Sequence, residues 1–141
     1  TNLLNLIFNN TSWANVGDAT GLRNSTAAGS LYISLHTADP GEAGNQSTNE
    51  TAYTNYVRVA VARSSAGWTI SGTAPAQAAN TAAIDFAQCG ATGATLTHFA
   101  VGSASSGAGE ILWYGPLTSS LAVSNGITPS FAIGQLTATL D

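Results

Sequence analysis

Two segments of this chain place an apolar side chain at every second position, and this alternation constrains the fold more than any other feature. Between residues 30 and 37 the apolar positions are Leu31, Ile33 and Leu35. Between residues 56 and 63 they are Val57, Val59 and Val61. Because successive side chains of a β-strand point to opposite faces, each segment is predicted to be a strand with one buried face.

Shorter segments of the same kind follow, and turns rich in glycine and serine separate them. Strands are predicted over residues 68–70, 82–86, 95–101, 110–114, 127–133 and 135–140. Residues 68–70 are expected to form a hairpin with the strand before them, and the segment 72–77 with Pro75 is expected to interrupt the pattern. About eight short strands at this spacing predict an all-β fold, either a two-sheet sandwich or a barrel.

The first 29 residues are predicted to form a helix and an arm. Apolar side chains on nearly all sides of the segment 3–8 predict one short helix, and Trp13 is expected to anchor the turn after it. The segment 15–29 is rich in Gly, Asn, Asp, Ser and Thr, which predicts a loop that only a partner orders. At 141 residues the chain has the size of one domain, so a single domain over 1–141 is expected, with the sandwich over 30–141.

Two later loops differ in character. Residues 38–54 combine the Pro40–Gly41 turn with polar filler and form the longest predicted loop in the middle of the chain. Loops of this length in compact domains are usually functional or mobile. Residues 102–109 contain only Gly, Ser and Ala, and such a composition predicts a flexible turn between two strands.

Charged residues are scarce. They make up 7% of the chain, against about 25% in an average soluble domain. Three Arg, no Lys and a net charge of −4 leave no basic surface for phosphates, so nucleic acid is not expected as a partner. A surface with few charges loses little hydration energy when another protein covers it, so the composition favours a protein that is part of an assembly. A stable sandwich with a neutral surface would explain the same composition. No apolar run is long enough to span a membrane, so no membrane partner is expected.

The cysteine and histidine content gives no sign of a cofactor or metal. A single cysteine, Cys89, excludes a disulfide or a thiolate cluster within one chain, and a small buried side chain is its expected role. His36 and His98 are the two histidines, and they lack the spacing of a metal-binding motif. We expect both to be hydrogen-bonded within the sheet, with no cofactor.

No motif for catalysis is present either. A nucleophile elbow of the G-x-S-x-G type is missing, and a phosphate-binding loop that ends in Lys is impossible in a chain without Lys. Most of the seven acidic residues lie in predicted turns, where solvated carboxylates are usual. The chain is therefore expected not to be an enzyme.

The two arginines of the second predicted strand are candidates for contact with a partner. Arg58 and Arg63 lie five positions apart and are predicted to point to opposite faces of that strand. Arginine is enriched where protein surfaces meet, so one of them is expected to pair with an acidic group of a partner. For Arg63 an exposed strand position without such a role is preferred.

Several stretches of the chain resemble a family of small structural proteins of tailed phages. The similar segments are residues 31–44, 52–63, 67–69, 99–102, 107–109, 111–115 and 125–129. In length and pattern the chain is most similar to the capsid cement, or decoration, proteins within that group. The resemblance covers nearly the whole chain after residue 30.

The resemblance implies a jelly-roll-like sandwich that forms homodimers and binds the outside of the phage head. Its partners would be a second copy and the major capsid protein, and its location the capsid exterior after synthesis in the bacterial cytoplasm. It would brace contacts between capsomers by adding buried interface across their seams. The contacts are expected from the long loop, the N-terminal segment and exposed sheet edges. The interface candidates are Leu3, Phe8, Trp13, Asp39, Glu42, Tyr53 and Arg58.

Two other functions stay open at this point. The first is a tail-fibre or baseplate component that recognises a host receptor, for example a sugar, through its aromatic side chains. The second is a small hydrolase of unrecognised type that would depend on His36 and His98. Neither has a sequence feature that the cement interpretation lacks.

Overall fold

A computed structural model describes residues 1–140 and shows a chain that is mostly antiparallel sheet with one short helix. The expected all-β sandwich class with a short N-terminal helix is therefore confirmed. The helix α1 covers Asn2–Phe8. The strands are β1 Ser30–His36, β2 Val59–Ala62, β3 Trp68–Ser71, β4 Ala76–Asn80, β5 Ile84–Asp85, β6 Ala94–Gly102, β7 Ile111–Val123, β8 Ser130–Phe131 and β9 Thr137–Leu140.

The chain divides into two compact units. The first contains residues 1–30, 61–84 and the described chain from 131 onward, and the second contains residues 31–60 and 85–130. The three sheets have the orders β2-β1-β6-β7, β3-β4-β9 and β5-β8. The expectation of a single domain over 1–141 stays a prediction.

In the second unit, β1 is buried on both faces. It pairs antiparallel with β6, so that Leu35 lies opposite Phe99 and His36 opposite His98. The apolar face carries Ile33 and Leu35, which are 0% and 2% exposed. The opposite face carries Ser34 and His36, both 0% exposed, although the alternation of the sequence predicts one buried face only.

The polar face of β1 is buried because the segment 37–58, called here the covering loop, packs along it. The backbone N–H of Thr51 donates to the Leu35 carbonyl at 2.9 Å. The His36 ring nitrogen Nδ1 lies 2.8 Å from the Thr48 carbonyl, and His36 forms an isolated β-bridge with Glu50. The predicted loop 38–54 is therefore free of strands, as expected, but it is held against the sheet.

The first unit is built around one aromatic contact. The rings of Phe8 and Trp68 meet edge to face with centroids 4.7 Å apart, and both residues are 0% exposed. Leu4, one helical turn before Phe8, is also 0% exposed. The helix therefore buries one face, as its apolar residues predict, and it contacts β3 and β4.

Several strand predictions are wrong in extent or partner. The strand 56–63 is reduced to β2, because Tyr56 and Arg58 make side-chain hydrogen bonds within the covering loop and the loop after β6. The expected hairpin with β3 is wrong, since β3 pairs with β4. Residues 76–80, which are three alanines with Gln77 and Asn80, have no strand signal of their own.

The strand β7 is much longer than the predicted 110–114, and it is irregular. Leu96 pairs with Leu121 and His98 with Pro116, so residues 117–120 of β7 bulge out of the ladder. Bulges of this kind are common on edge strands, and β7 is at the edge of its sheet. Within residues 1–140 the structure has no helix that is long and apolar enough to cross a membrane.

Candidate functional site

A small pocket opens in the second unit between the end of the covering loop and the loop that joins β6 to β7. Its volume is about 200 Å³. We call it the Arg58 pocket, and its lining residues are Glu50, Tyr56, Val57, Arg58, Ser105, Ser106 and Gly107. Among the predicted interface residues, only Arg58 lines it.

The floor of the Arg58 pocket is an ion pair in which two hydrogen bonds join the same two groups. Arg58 Nε lies 2.7 Å from Glu50 Oε1, and Arg58 Nη2 lies 2.7 Å from Glu50 Oε2. The two side chains are 2% and 17% exposed. Bidentate geometry and burial make this pair much stronger than an exposed salt bridge. Arg58 therefore pairs with an acid of its own chain, where a partner's acid was expected.

Tyr56 supports the acid from the other side. Its hydroxyl donates to Glu50 Oε1 at 2.9 Å and accepts the backbone N–H of Leu35 at 3.1 Å. Burial is the main cause that raises the pKa of Tyr56 far above its ordinary value. The hydrogen bonds that Arg58 donates to Glu50 likewise raise the pKa of Arg58. The phenol is thus held neutral as a donor, and the guanidinium is held charged.

Arg58 also shapes the serine loop, defined as residues 103–110. Its Nη1 donates to the Ala104 carbonyl at 2.9 Å, and its Nη2 donates to the Gly107 carbonyl at 2.7 Å. A flexible turn was predicted here from the Gly, Ser and Ala composition. The turn does join two strands, but a buried guanidinium binds two of its carbonyl groups.

A second buried side chain, Gln46, holds the same loop from below. It is 0% exposed. Its Nε2 donates to the Tyr32 carbonyl at 3.1 Å, and its Oε1 accepts the backbone N–H of Ala104 at 3.0 Å. The backbone N–H of Gln46 donates to the Gly109 carbonyl at 2.8 Å. The contacts with Ala104 and Gly109 hold the serine loop against the covering loop, and the contact with Tyr32 fixes the Gln46 side chain to β1.

The groups that remain available in the Arg58 pocket are two hydroxyls and one apolar side chain. Ser105 and Ser106 are exposed, and within residues 1–140 their side chains make no hydrogen bond with the protein. Val57 is 62% exposed, although the alternation of the sequence assigns it to a buried face. The pocket can therefore offer donors, acceptors and an apolar wall to a small polar ligand.

Two of the predicted interface residues lie in the interior. Phe8 packs on Trp68. Tyr53 is 2% exposed, its hydroxyl donates to the Ala87 carbonyl at 2.9 Å, and its ring meets that of Tyr56 edge to face at 5.3 Å. Tyr53 therefore supports the Arg58 pocket from behind Tyr56.

The remaining interface candidates lie apart from the Arg58 pocket. Leu3 is half-buried on α1, and Trp13 forms an isolated bridge with Leu22. Asp39 and Glu42 are exposed on the covering loop. They lie close enough to Tyr114 that their charges, after desolvation, raise the pKa of its phenol. Their role in an interface stays a prediction.

Arg63 is more deeply engaged than the exposed arginine that the sequence predicted. Its Nε donates to the Ile7 carbonyl at 2.6 Å, and its Nη2 donates to the Leu6 carbonyl at 2.8 Å. The other contacts are the Asn10 side chain, the Ser25 hydroxyl and the Ala28 carbonyl. Arg63 satisfies free carbonyls at the end of α1, where a cation is favourable, and ties the helix to the arm.

The N-terminal arm is also ordered by its own side chains, although a partner was expected to order it. Asn10 Oδ1 accepts the backbone N–H of Ser25 at 2.9 Å. Asn24 N–H donates to the Ser12 hydroxyl at 3.1 Å. The Asp18 carboxylate caps the turn by accepting hydrogen bonds from the Thr20 hydroxyl and from the backbone N–H groups of Gly21 and Thr20. These bonds, the Thr20 hydroxyl first, lower the pKa of Asp18.

Both histidines are hydrogen-bonded within the sheet, as expected. His36 lies between the Thr48 carbonyl and the Ser34 hydroxyl, which is 2.9 Å from its Nε2. Desolvation by burial lowers the pKa of His36. His98 Nδ1 lies 2.9 Å from the Thr97 hydroxyl. Within residues 1–140 no group of three or more His, Cys, Asp or Glu residues is arranged to hold a metal ion. Cys89 is free and 1% exposed, as its expected role requires.

The sequence reasoning missed most of the pocket. Glu50 is among the acids expected to be solvated, Gln46 lies in the polar filler of the predicted loop, and Ser105 and Ser106 lie in the predicted flexible turn. One signal was present in the sequence: Arg58 is one of three cations in the chain and sits directly beside predicted core positions. A charge at such a position usually has a partner.

Comparison with known proteins identifies the family. No curated protein sequence matches the chain. A family model described as "Podophage GP4 fiber I protein gp80" matches residues 1–139. The match overturns the prediction of a capsid cement protein on the capsid exterior, because it covers almost the whole chain and describes a fibre protein. The resemblance to cement proteins was therefore wrong about the kind of phage protein. The match does support the broader prediction of a phage structural protein. The chain belongs to the podophage fibre I protein gp80 family.

Proposed function

We propose that this chain is a component of a phage tail fibre and that it binds a receptor on the host surface through the Arg58 pocket. The family match supports the first half of the proposal. It also favours the alternative that the sequence left open, a fibre component, over the bracing of a capsid. The second half rests on the pocket.

The observation that carries receptor binding is the number of buried polar groups that shape one small exposed loop. Arg58 and Gln46, 9% and 0% exposed as residues, direct most of their hydrogen bonds to the covering loop and the serine loop. Burying a polar side chain costs free energy unless all its hydrogen-bonding groups have partners. Apolar side chains of similar size would stabilise the fold equally well, so stability alone does not explain these residues. Their use here gives a rigid loop with free hydroxyls, and rigidity lowers the entropy cost of binding.

A binding assay on host cells tests the proposal. The fluorescently labelled full chain is expected to bind host cells and to compete with virions for adsorption. The variant Ser106→Trp fills the pocket with a large ring and is expected to weaken cell binding by about ten-fold, or 1.4 kcal/mol.

The matched control is Ser119→Trp, which places the same ring on an exposed serine of the β7 bulge. This variant is expected to bind cells as the wild-type chain does. Equal binding by Ser106→Trp and the wild-type chain would refute a role for the pocket. Absence of any binding to host cells would refute the receptor-binding half of the proposal.

The proposal also includes that the chain associates with copies of itself and that it does not catalyse a reaction. A neutral surface with few charges favours contact with further copies. We propose homodimers, for which light scattering on the purified chain would report twice the mass of one chain. A purely binding role further means that the Arg58 pocket holds its ligand without turning it over.

A further inference from the structure

Building on the proposed receptor-binding role, we propose that the Arg58 pocket binds one neutral pyranose ring of a host-surface glycan. The proposal joins three properties of the pocket. These are the charge balance of its floor, the free hydroxyls of the serine loop, and an apolar wall.

The charge balance excludes charged ligands. Glu50 and Arg58 are the charged residues among those that line the pocket, and they cancel one another through two hydrogen bonds of 2.7 Å. A carboxylate or ammonium ligand would lose hydration on entering without meeting an unpaired opposite charge. A neutral ligand avoids that cost.

The hydrogen-bonding groups suit a molecule with several hydroxyls. The side chains of Ser105 and Ser106 can each donate and accept, and neither is engaged with another residue of the described chain. Among residues 1–140, Glu50 Oε2 receives one hydrogen bond, from Arg58, although a carboxylate oxygen can accept two. Sugar hydroxyls act as donors and acceptors at once, so they match this mixture.

The apolar wall and the size suit a single ring. Val57 is 62% exposed beside Tyr56, and an exposed valine can cover the C–H face of a pyranose. The volume of about 200 Å³ lies below the range of about 300–1,000 Å³ typical of sites for drug-sized ligands. The pocket is therefore sized for one sugar residue at the end of a chain.

Amide NMR on the nitrogen-labelled full chain tests the inference. The probes are the methyl glycosides of glucose, galactose, mannose and N-acetylglucosamine, with glucuronic acid and glucosamine as charged counterparts. At least one neutral glycoside is expected to shift the amide signals of Val57, Ser106 and Gly107. The expected Kd is about 1–10 mM, ordinary for so small a ligand.

A pair of double variants gives the control. Ser105→Ala with Ser106→Ala is expected to weaken the glycoside by about ten-fold. Ser119→Ala with Ser120→Ala removes a second exposed pair of adjacent serines, in the β7 bulge, and is expected to leave its affinity unchanged. Thermal unfolding of both variants shows whether each is folded.

Three results would overturn the inference. They are no shift at these amides with any neutral glycoside up to about 50 mM, equal affinity for a charged counterpart, and equal affinity in both double variants. If the chain binds host cells but no glycoside enters the pocket, the sugar inference fails while the proposed function stands. If a glycoside enters the pocket but the chain does not bind cells, the proposed function fails instead.

Discussion

The side chain of Gln46 occupies the space that a Cβ atom on Gly102 would need. A Cβ built on Gly102 would lie 2.1 Å from Gln46 Cδ, and one built on Gly109 would lie 2.3 Å from Gln46 Oε1. Glycines at both ends of the serine loop thus allow one buried amide to hold the loop.

The substitution Gly102→Ala is expected to lower the free energy of unfolding by about 2 kcal/mol, because the new methyl group displaces Gln46 from a packed site. Urea unfolding followed by fluorescence measures the change. The control is Gly115→Ala, whose Cβ would meet Phe99 at 3.5 Å, an ordinary contact distance. Equal stability of the two variants would show that Gln46 does not require glycine at 102.

The substitution Arg58→Leu is expected to cost about 3 kcal/mol, because it leaves the Glu50 carboxylate largely buried without its guanidinium. The exposed Arg23→Leu serves as the control and is expected to change stability by less than about 0.5 kcal/mol. The double variant Arg58→Leu with Glu50→Leu is expected to recover part of the loss, since no charge is left unpaired. A double variant as unstable as the sum of the two single variants would contradict this account.

Replacement of Arg63 by Lys is expected to loosen the N-terminal arm. An ammonium group cannot reproduce the planar fork that reaches Leu6, Ile7 and Ala28 together, so about 1–2 kcal/mol of stability is expected to be lost. Amide hydrogen exchange is expected to quicken most over residues 6–25. A uniform change across the chain, or none, would mean that Arg63 does not hold the arm.

The stability of the chain is expected to fall in acid partly through His36. Burial lowers the pKa of His36 below its ordinary value of 6.5. The unfolded chain therefore takes up a proton first as the pH falls below 6.5. The contribution of His36 is complete above that pH and is lost as the pH falls through the folded pKa. The nearby charges of Glu50, Arg58 and His98 also act on the ring.

Thermal unfolding from about pH 7 to about pH 5 measures this contribution. His36→Asn, whose amide can still donate to the Thr48 carbonyl, is expected to flatten the decline in Tm. His98→Asn is expected to keep the wild-type decline. Parallel declines in all three proteins would rule out His36 as the titrating group.

The part of the fold that the sequence predicts best is the part with strong local periodicity. The segment 30–37 was identified almost to its end as β1, because period-two alternation reports a pleated backbone directly. The strand β4 was missed because it consists of alanines with Gln77 and Asn80, and these residues give no alternation of large apolar and polar side chains. The partner of β3 was wrong for the same reason.

Much less of the candidate site than of the fold could be predicted from the sequence. The sequence predicts that Arg58 pairs with an acidic group of a partner, whereas the structure pairs it with an acid of its own chain. Its partner, Glu50, lies eight residues away within a loop, where spacing carries no information about contact. The two loop carbonyls that it also binds lie 46 and 49 residues away.

The sequence by itself determined that this chain is rich in strands and carries little charge, because composition and period-two patterning are local properties. Only the tertiary structure decided which polar residues are buried. The covering loop folds onto the polar face of β1 and encloses His36 and Gln46. A loop has no periodicity that shows where it will pack. Its position is settled by hydrogen bonds between distant segments, and these form only when the chain is folded.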